Sequence, residues 1–280
     1  MFRPFSLNIG GSLRVYHRPQ VMGIVNITPD SFYSKSRTMC DDAIKRRVED
    51  VVRDGADFLD IGAYSSRPGA SDVSEEEELE RLRIGLNAIR SVNADIPVSV
   101  DTFRSRVAYV AVKEFGANII NDISGGDLDR DMFSVVAALN VPYILMHMRG
   151  NPQTMQRYTD YENIMADMLL DMSRKLRELH LMGVSDVIVD PGFGFSKTLE
   201  QNYEIMRHLD LFSTELNAPV LVGVSRKSMI TKTLCISPDE ALNGTTVLNT
   251  IALMGGAAFL RVHDVKEAVQ AVKLYELSSK

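Results

Sequence analysis

At the C-terminal edge of eight short apolar runs in this sequence stands a group able to bind or to catalyse. Asn26 ends 21-VMGIVN-26, and 57-DFLDIG-62 leads into 63-AYSSRPGA-70. Asp101 ends 97-PVSVD-101, and Asn121 and Asp122 close 118-NIINDI-123. His147 ends 142-PYILMH-147 and Asp190 ends 186-DVIVD-190. The run 219-PVLVGVS-225 continues into Arg226 and Lys227, and 258-AFLRVH-263 carries Arg261 and His263. Burying that many polar groups is costly unless each has a partner, so the recurrence points to one shared site.

The residue types suggest its chemistry. Arg67, Lys227, Arg261 and His263 are suited to clamping an anion, with Arg supplying planar, bidentate contacts. Asp101, Asn121 and Asp190 offer acceptors and an amide donor, a set that matches a heterocycle with mixed edges. Asn26, close in sequence to Asp30, can hold Mg²⁺ beside phosphate oxygens, since Mg²⁺ sites use few protein ligands plus substrate phosphates. His147 reads equally as a catalyst or as a residue that supports one. The run 192-GFGFSKT-198 lacks the glycine before lysine that a phosphate-binding loop requires. Gly192 and Gly194 there fit a sharp turn at a strand end, and Lys197 reads as a solvated loop lysine. The run 75-EEEE-78 reads as a solvated helix N-terminus. Cys40 and Cys235 have no metal-ligand spacing, and His17, His180 and His208 fall in surface segments. Met146 and Met148 read as gap-filling core residues, with Met146 also able to pack on a flat ring.

The elements that must position these groups follow from the pattern between them. The runs are rich in Val and Ile and apolar on successive residues, as in parallel strands buried on both faces. Between them, segments 40–54, 74–91, 104–115, 129–139, 161–182, 199–209, 238–255 and 264–278 read as helices. Ser74 with Glu77 resembles a capping box, and Pro238 with Asp239 and Glu240 a helix first turn. Gly55, Gly116 and Gly183 occupy C-terminal cap positions. Eight strand–helix units without a compositional break predict an α/β fold, a single-domain (β/α)8 TIM barrel over 20–280. Residues 1–19 form a short extension, expected as a hairpin over the barrel floor. An open doubly wound sheet would show a glycine fingerprint after the first strand, and 21-VMGIVNITPDSF-32 has none.

The 280 residues match the size of such a barrel. With 45% apolar and 24% charged residues, the composition is globular rather than disordered. A net charge of -6 argues against nucleic acid or an anionic membrane as partner. No long apolar segment predicts a signal peptide or membrane span, and two free thiols suit a reducing compartment, so a cytoplasmic protein is expected.

The segments MGIVNITPDSF (22–32), SSRPGA (65–70), VSVDTFRSRVA (98–108), ANIINDISGG (117–126), MHMRGNP (146–152), IVDPGFGFSKT (188–198), VLVGVSRKS (220–228) and RVHDV (261–265) together resemble the dihydropteroate synthase family, in that family's order and across nearly the whole chain. The resemblance implies condensation of 6-hydroxymethyl-7,8-dihydropterin pyrophosphate with p-aminobenzoate, giving 7,8-dihydropteroate and pyrophosphate. It implies that Asp101, Asn121, Asp190 and Lys227 hold the pterin, with Met146 and Phe195 against its ring. Asn26, Arg261 and His263 would hold the pyrophosphate, Asn26 with its Mg²⁺. Phe32, Ser66, Arg67, Pro68, Phe195 and Ser228 would line the p-aminobenzoate side. Asp101, Lys227, Arg261 and His263 are the expected catalytic groups. The partners implied are these small molecules and a second copy of the chain, paired through its last helices.

Two loops depart from the family pattern. Ala63 and Tyr64 stand where glycine and glutamate are usual, and Ser34 where aspartate is common. Both changes fall on the p-aminobenzoate side, where sulfonamides that mimic p-aminobenzoate would also bind. Two other readings compete. A pterin-binding methyltransferase domain would leave the SRK and RVHDV segments without a purpose. A degenerate pterin binder would have only the altered loops in its support.

Overall fold

The computed structural model describes residues 1–27, 37–64 and 73–279, without the side chains of 37–41. Strands β1 (Phe5–Ile9) and β2 (Ser12–Tyr16) form an antiparallel hairpin. Its turn is Gly10–Gly11, both at positive φ, which suits glycine. Eight parallel strands follow: β3 (Gln20–Asn26), β4 (Phe58–Gly62), β5 (Val98–Asp101), β6 (Ile119–Asp122), β7 (Tyr143–Met146), β8 (Val187–Asp190), β9 (Leu221–Val222) and β10 (Phe259–Val262). They are hydrogen-bonded in the order β8-β7-β6-β5-β4-β3-β10-β9. A bridge between Val189 and Val220 joins the two ends of that order, closing the (β/α)8 barrel.

The helices around it are α1 (Arg37–Arg53), α2 (Glu75–Val92), α3 (Ser105–Lys113), α4 (Met132–Leu139), α5 (Ile164–Leu181), α6 (Leu199–Arg207), α7 (Asp210–Glu215), α8 (Ser228–Leu234), α9 (Leu242–Met254) and α10 (Val265–Ser278). Ser74 caps α2 by accepting from the Glu77 amide at 3.2 Å. Gly55, Gly116 and Gly183 lie at φ 95, 69 and 89, the left-handed conformation expected of them. Three local readings are corrected. The helix expected over 238–255 begins as a 3-10 turn, Pro238–Glu240, closed by a Ser237–Glu240 capping box, and continues separately as α9. The short helices α7 and α8 escape a periodicity reading because two turns carry too few apolar repeats. The strand expected over 219–225 is regular over Leu221–Val222, with only the bridge from Val220 to Val189 before it. Its continuation turns instead, with the Lys227 amide bonded to the Val224 carbonyl and Arg226 at φ 54.

Strand alternation sorts the side chains into two cores. Val21, Val25, Leu59, Ile61, Val98, Val100, Val187, Val189 and Leu260 face the helices. Met22, Phe58, Ile119, Ile144, Ile188, Leu221 and Phe259 fill the barrel's lower interior, where Leu7 and Ile9 of the hairpin seal the floor. Each fully buried side chain of this size contributes about 1.5–3 kcal/mol relative to exposure. Continuing upward on the inward-facing positions, this parity replaces the apolar filling with polar groups.

Candidate active site

Register places Asn26, Gly62, Asp101 and Asn121 level with one another on β3, β4, β5 and β6. Across the barrel Met146 is level with Asp190. Gly62 keeps the row open. A Cβ there would lie 3.7 Å from Asp101 Oδ2 and 3.8 Å from Asn26 Oδ1, so both side chains face the space that the glycine leaves.

Arg261 is the hub of the cluster. Its Nε donates to Asp60 Oδ2 at 2.7 Å and its Nη2 to Asp101 Oδ2 at 2.9 Å. Asp60 is fully buried, and the Asn121 amide lies 3.3 Å from both of its oxygens. Burial opposes the Arg261 charge, but the Asp60 and Asp101 carboxylates outweigh that penalty and hold the guanidinium protonated. Burial pushes Asp101 up to about 7; Arg261 opposes the shift and the Asp60 charge adds to it. A carboxyl so poised changes charge readily when a positive charge develops beside it.

The opposite wall carries Asp190 and Lys227. The Gly192 amide donates to Asp190 Oδ1 at 2.7 Å. Burial raises the Asp190 pKa, with Lys227 opposing. Burial lowers Lys227 to about 8, with Asp190 opposing. Lys227 Nζ donates to the Phe193 carbonyl and lies 4.8 Å over the Phe195 ring. Phe195 and Phe103 pack beside Ile123, Met146, Met148 and Met155, an apolar face rich in polarizable sulfur. The site therefore pairs carboxylates and an amide with two cations beside a surface that suits a flat ring.

His263 follows β10, its amide bonded to Ser225 Oγ and its carbonyl accepting from Arg47. Burial, then the Arg261 and Arg47 charges, lower its pKa to about 4. Burial thus favours its neutral form, which carries a single N–H. Ser228 opens α8 directly after Lys227 and is exposed. Phe32, Ser66, Arg67 and Pro68 lie outside the described residues.

Asn26 is the residue expected to hold a metal ion. Among the described residues no cluster of three or more His, Cys, Asp or Glu side chains is placed to hold an ion. Its hard amide oxygen, turned toward the open mouth beside Gly62, fits Mg²⁺ only where the remaining ligands come from substrate and water.

Several readings from residue order change in three dimensions. Asp122 is one residue out of phase with Asn121, so it faces the helices. There it accepts from Tyr143 Oη and Ser124, both at 2.7 Å, and stays out of the barrel mouth. His147 is likewise out of phase with Met146 and lies buried behind the wall, its pKa well below the usual value through burial and nearby Lys197. Lys197 is not a solvated lysine: it is only 4% exposed and bonds backbone carbonyls. Glu78 is not solvated either. It is fully buried against Thr102 and Arg104. Asp60 escaped the reading because it sits inside its run rather than at the end. Its signal was a carboxylate two residues before Gly62, hence on the same inward face.

Comparison with known proteins agrees with this arrangement. The model of the family described as pterin binding enzyme matches residues 22–263. The dihydropteroate synthase of Clostridium beijerinckii is 43% identical over 93% of this chain and 94% of its own length. The structure of Yersinia pestis dihydropteroate synthase, solved with a sulfonamide drug complex, superposes with a TM-score of 0.89 at 36% identity, covering 98% of this chain and 99% of that one. Xanthomonas albilineans dihydropteroate synthase, solved with 4-aminobenzoic acid, gives a TM-score of 0.90 at 34% identity, covering 99% of each chain. A closed barrel, its strand-end cluster and these relatives lead to one assignment: the chain belongs to the pterin-binding enzymes, among the dihydropteroate synthases.

Proposed function

We propose that this barrel condenses 6-hydroxymethyl-7,8-dihydropterin pyrophosphate with p-aminobenzoate through early departure of pyrophosphate, in an SN1-like path. The observation that carries this reading is Arg261 held between two carboxylates, Asp60 and Asp101, at the barrel mouth. Asn121 and Asp190 present an amide and a carboxylate to the pterin's mixed edge, and Lys227 donates to it from the facing wall. Met146 and Phe195 pack on its ring. Arg261 supplies a fixed charge and His263 one N–H to the leaving group, the kind of preorganised donor whose loss costs on the order of 10²–10³ in rate. Asn26 would hold Mg²⁺ beside the pyrophosphate, and the ion would help neutralise leaving-group charge.

The CH₂–O bond breaks and its electron pair leaves with pyrophosphate. The positive charge spreads into the pterin ring, where the Asp101 carboxylate stabilises it. The p-aminobenzoate nitrogen then attacks the CH₂ carbon and loses a proton to solvent. No side-chain nucleophile is needed. Phe32, Ser66, Arg67, Pro68, Phe195 and Ser228 would line the p-aminobenzoate side. The Xanthomonas relative's complex with 4-aminobenzoic acid supports that substrate, and the Yersinia relative's sulfonamide complex supports sulfonamides as inhibitors.

A homodimer fits the surface. Val247, Ile251 and Met254 on α9 and Leu274 and Leu277 on the adjacent α10 are exposed apolar side chains. No helix among the described residues is long and apolar enough to cross a membrane. The exposed free thiol of Cys235 suits the reducing cytoplasm.

Incubation with both substrates and Mg²⁺, against a Lys227→Ala control, tests the assignment. Dihydropteroate formed by the native chain and lost in the control, and lost also on chelation, is the expected result. Pterin pyrophosphate that binds without coupling would overturn it.

A further inference from the structure

The loop that joins β8 to α6 takes an unusual path. Gly192, Gly194 and Ser196 have φ of 67, 84 and 47, so three residues in five adopt the left-handed conformation, one of them a non-glycine. Such a path persists only where surrounding contacts over-determine it. Asp190 and Asn202 accept from the Gly192 and Gly194 amides and Tyr161 donates to the Ser196 carbonyl, while Lys197 gathers the loop's carbonyls. Its Nζ lies 3.1 Å from the Gly192 carbonyl, 2.8 Å from the Phe195 carbonyl and 3.2 Å from the His147 carbonyl at the end of β7. Burial lowers the Lys197 pKa to about 7, with Asp190 opposing, and these three acceptors match the three N–H groups of its ammonium form. The fourth neighbour, His147 Nδ1 at 3.2 Å, belongs to a ring kept neutral by burial.

What the cage holds in place is the wall of the site. Between two caged carbonyls lies Phe193, whose own carbonyl receives Lys227 Nζ. Phe195 places its ring 4.8 Å from the same ammonium. A Cβ on Gly194 would lie 3.6 Å from Lys227 Cδ, so the loop backbone also lies along the Lys227 stem. Gln156 and Arg149 brace the loop from outside, through the Gly194 carbonyl and Ser196 Oγ. Neither reaches the carbonyls on both sides of Phe193.

We propose that Lys197 is a positioning residue for the condensation. Its side-chain amino group fixes the loop between β8 and α6, so that the Phe193 carbonyl and the Phe195 ring hold Lys227 aimed at the pterin. Lys197 itself touches no substrate; its effect passes mainly through Lys227, and in part through the Phe195 ring. The proposal rests on Lys227 binding the pterin, and the test separates the two.

The test is a double-mutant cycle on kcat/KM for pterin pyrophosphate in the full-length enzyme, with Lys197→Met, Lys227→Met and the pair. Displacing a binding group by about 1 Å can cost up to ~10²-fold, so Lys197→Met alone should lose about 10–100-fold, mainly as a raised KM for the pterin substrate. In the Lys227→Met background the same change should cost at least several-fold less than it does alone, because the main group it positions is gone and only the Phe195 contact remains. Losses that multiply in full would show that Lys197 acts elsewhere and overturn the proposal. So would an unimpaired Lys197→Met. An unimpaired Lys227→Met would instead overturn the reading of Lys227, and the proposal with it. Should Lys197→Met not fold, Lys197→Gln, which retains two N–H donors, carries the same cycle. Failure of both to fold would assign Lys197 to folding and refute a positioning role.

Discussion

Asp60 is the group whose removal should be most informative, because it touches two proposed substrate-binding residues and can reach no substrate itself. In Asp60→Asn the side chain keeps its shape but loses its charge. Arg261 Nε then faces a neutral oxygen or an NH₂ group in place of the carboxylate 2.7 Å away. The Asn121 amide, 3.3 Å from both Asp60 oxygens, meets a second donor. Removing one partner of a buried ion pair costs about 3–5 kcal/mol when the other is left alone. Here Arg261 retains Asp101 at 2.9 Å and is 20% exposed, so a charge-assisted hydrogen bond of about 1.5–3 kcal/mol is the better measure. At about 1.4 kcal/mol per tenfold, kcat/KM for pterin pyrophosphate should fall roughly 10–150-fold. KM for p-aminobenzoate should move little. A second readout has a definite sign. The Asp60 charge helps raise Asp101 to about 7, so its loss should lower the Asp101 pKa and move the acid limb of the pH–rate profile to lower pH. Steady-state kinetics from pH 5 to 9 on both proteins measures both effects. A variant within about 3-fold of wild type, with an unmoved acid limb, would refute the reasoning that Asp60 holds Arg261 in its working position.

Three other outcomes are expected. His263 has its folded pKa lowered from 6.5 to about 4, so its stabilising contribution is complete above 6.5 and lost as pH falls toward 4. Asp101, raised from 3.8 to about 7, acts in the opposite sense, stabilising the fold less as pH rises through that window. Melting curves from pH 7 to 4 should therefore fall less steeply for His263→Asn than for wild type, and parallel curves would contradict the assignment. In Gly192→Ala the new Cβ would lie 2.3 Å from the His147 carbonyl oxygen, at φ 67. Left-handed strain of about 1–2 kcal/mol plus overpacking of about 1–3 kcal/mol should lower Tm by roughly 5–15 °C, and an unchanged melt would show that the loop relaxes freely. Sedimentation at micromolar concentration should give a dimer, converted toward monomer by Ile251→Glu and Leu274→Glu together; a monomeric wild type would remove α9 and α10 as a self-association surface.

The strand–helix alternation, the (β/α)8 class and the family were all legible in the residues. Apolar runs flanked by capping glycines leave few other folds, and every strand of a barrel delivers its last inward residue to one mouth. That is why Asn26, Asp101, Asn121, Asp190 and Arg261 are legible in the residues, while on the fifth strand the inward position falls to Met146 and not to His147, its expected end. Phase decided the rest. Asn121 and Asp122 are neighbours in sequence with the same capacity to bind, yet one enters the barrel and the other faces Tyr143, because successive side chains on a strand point to opposite faces. The same alternation, counted back from Gly62, would have found Asp60. No count along the chain would have found the cage around Lys197. Its acceptors come from residues 147, 192 and 195, brought together by the pairing of β7 with β8 and by a loop in left-handed conformation. Composition and periodicity report which face of an element is buried. The charge a buried group carries depends on partners distant in sequence, so the shifts at Asp101, Lys227 and His263 were decided by the tertiary structure alone.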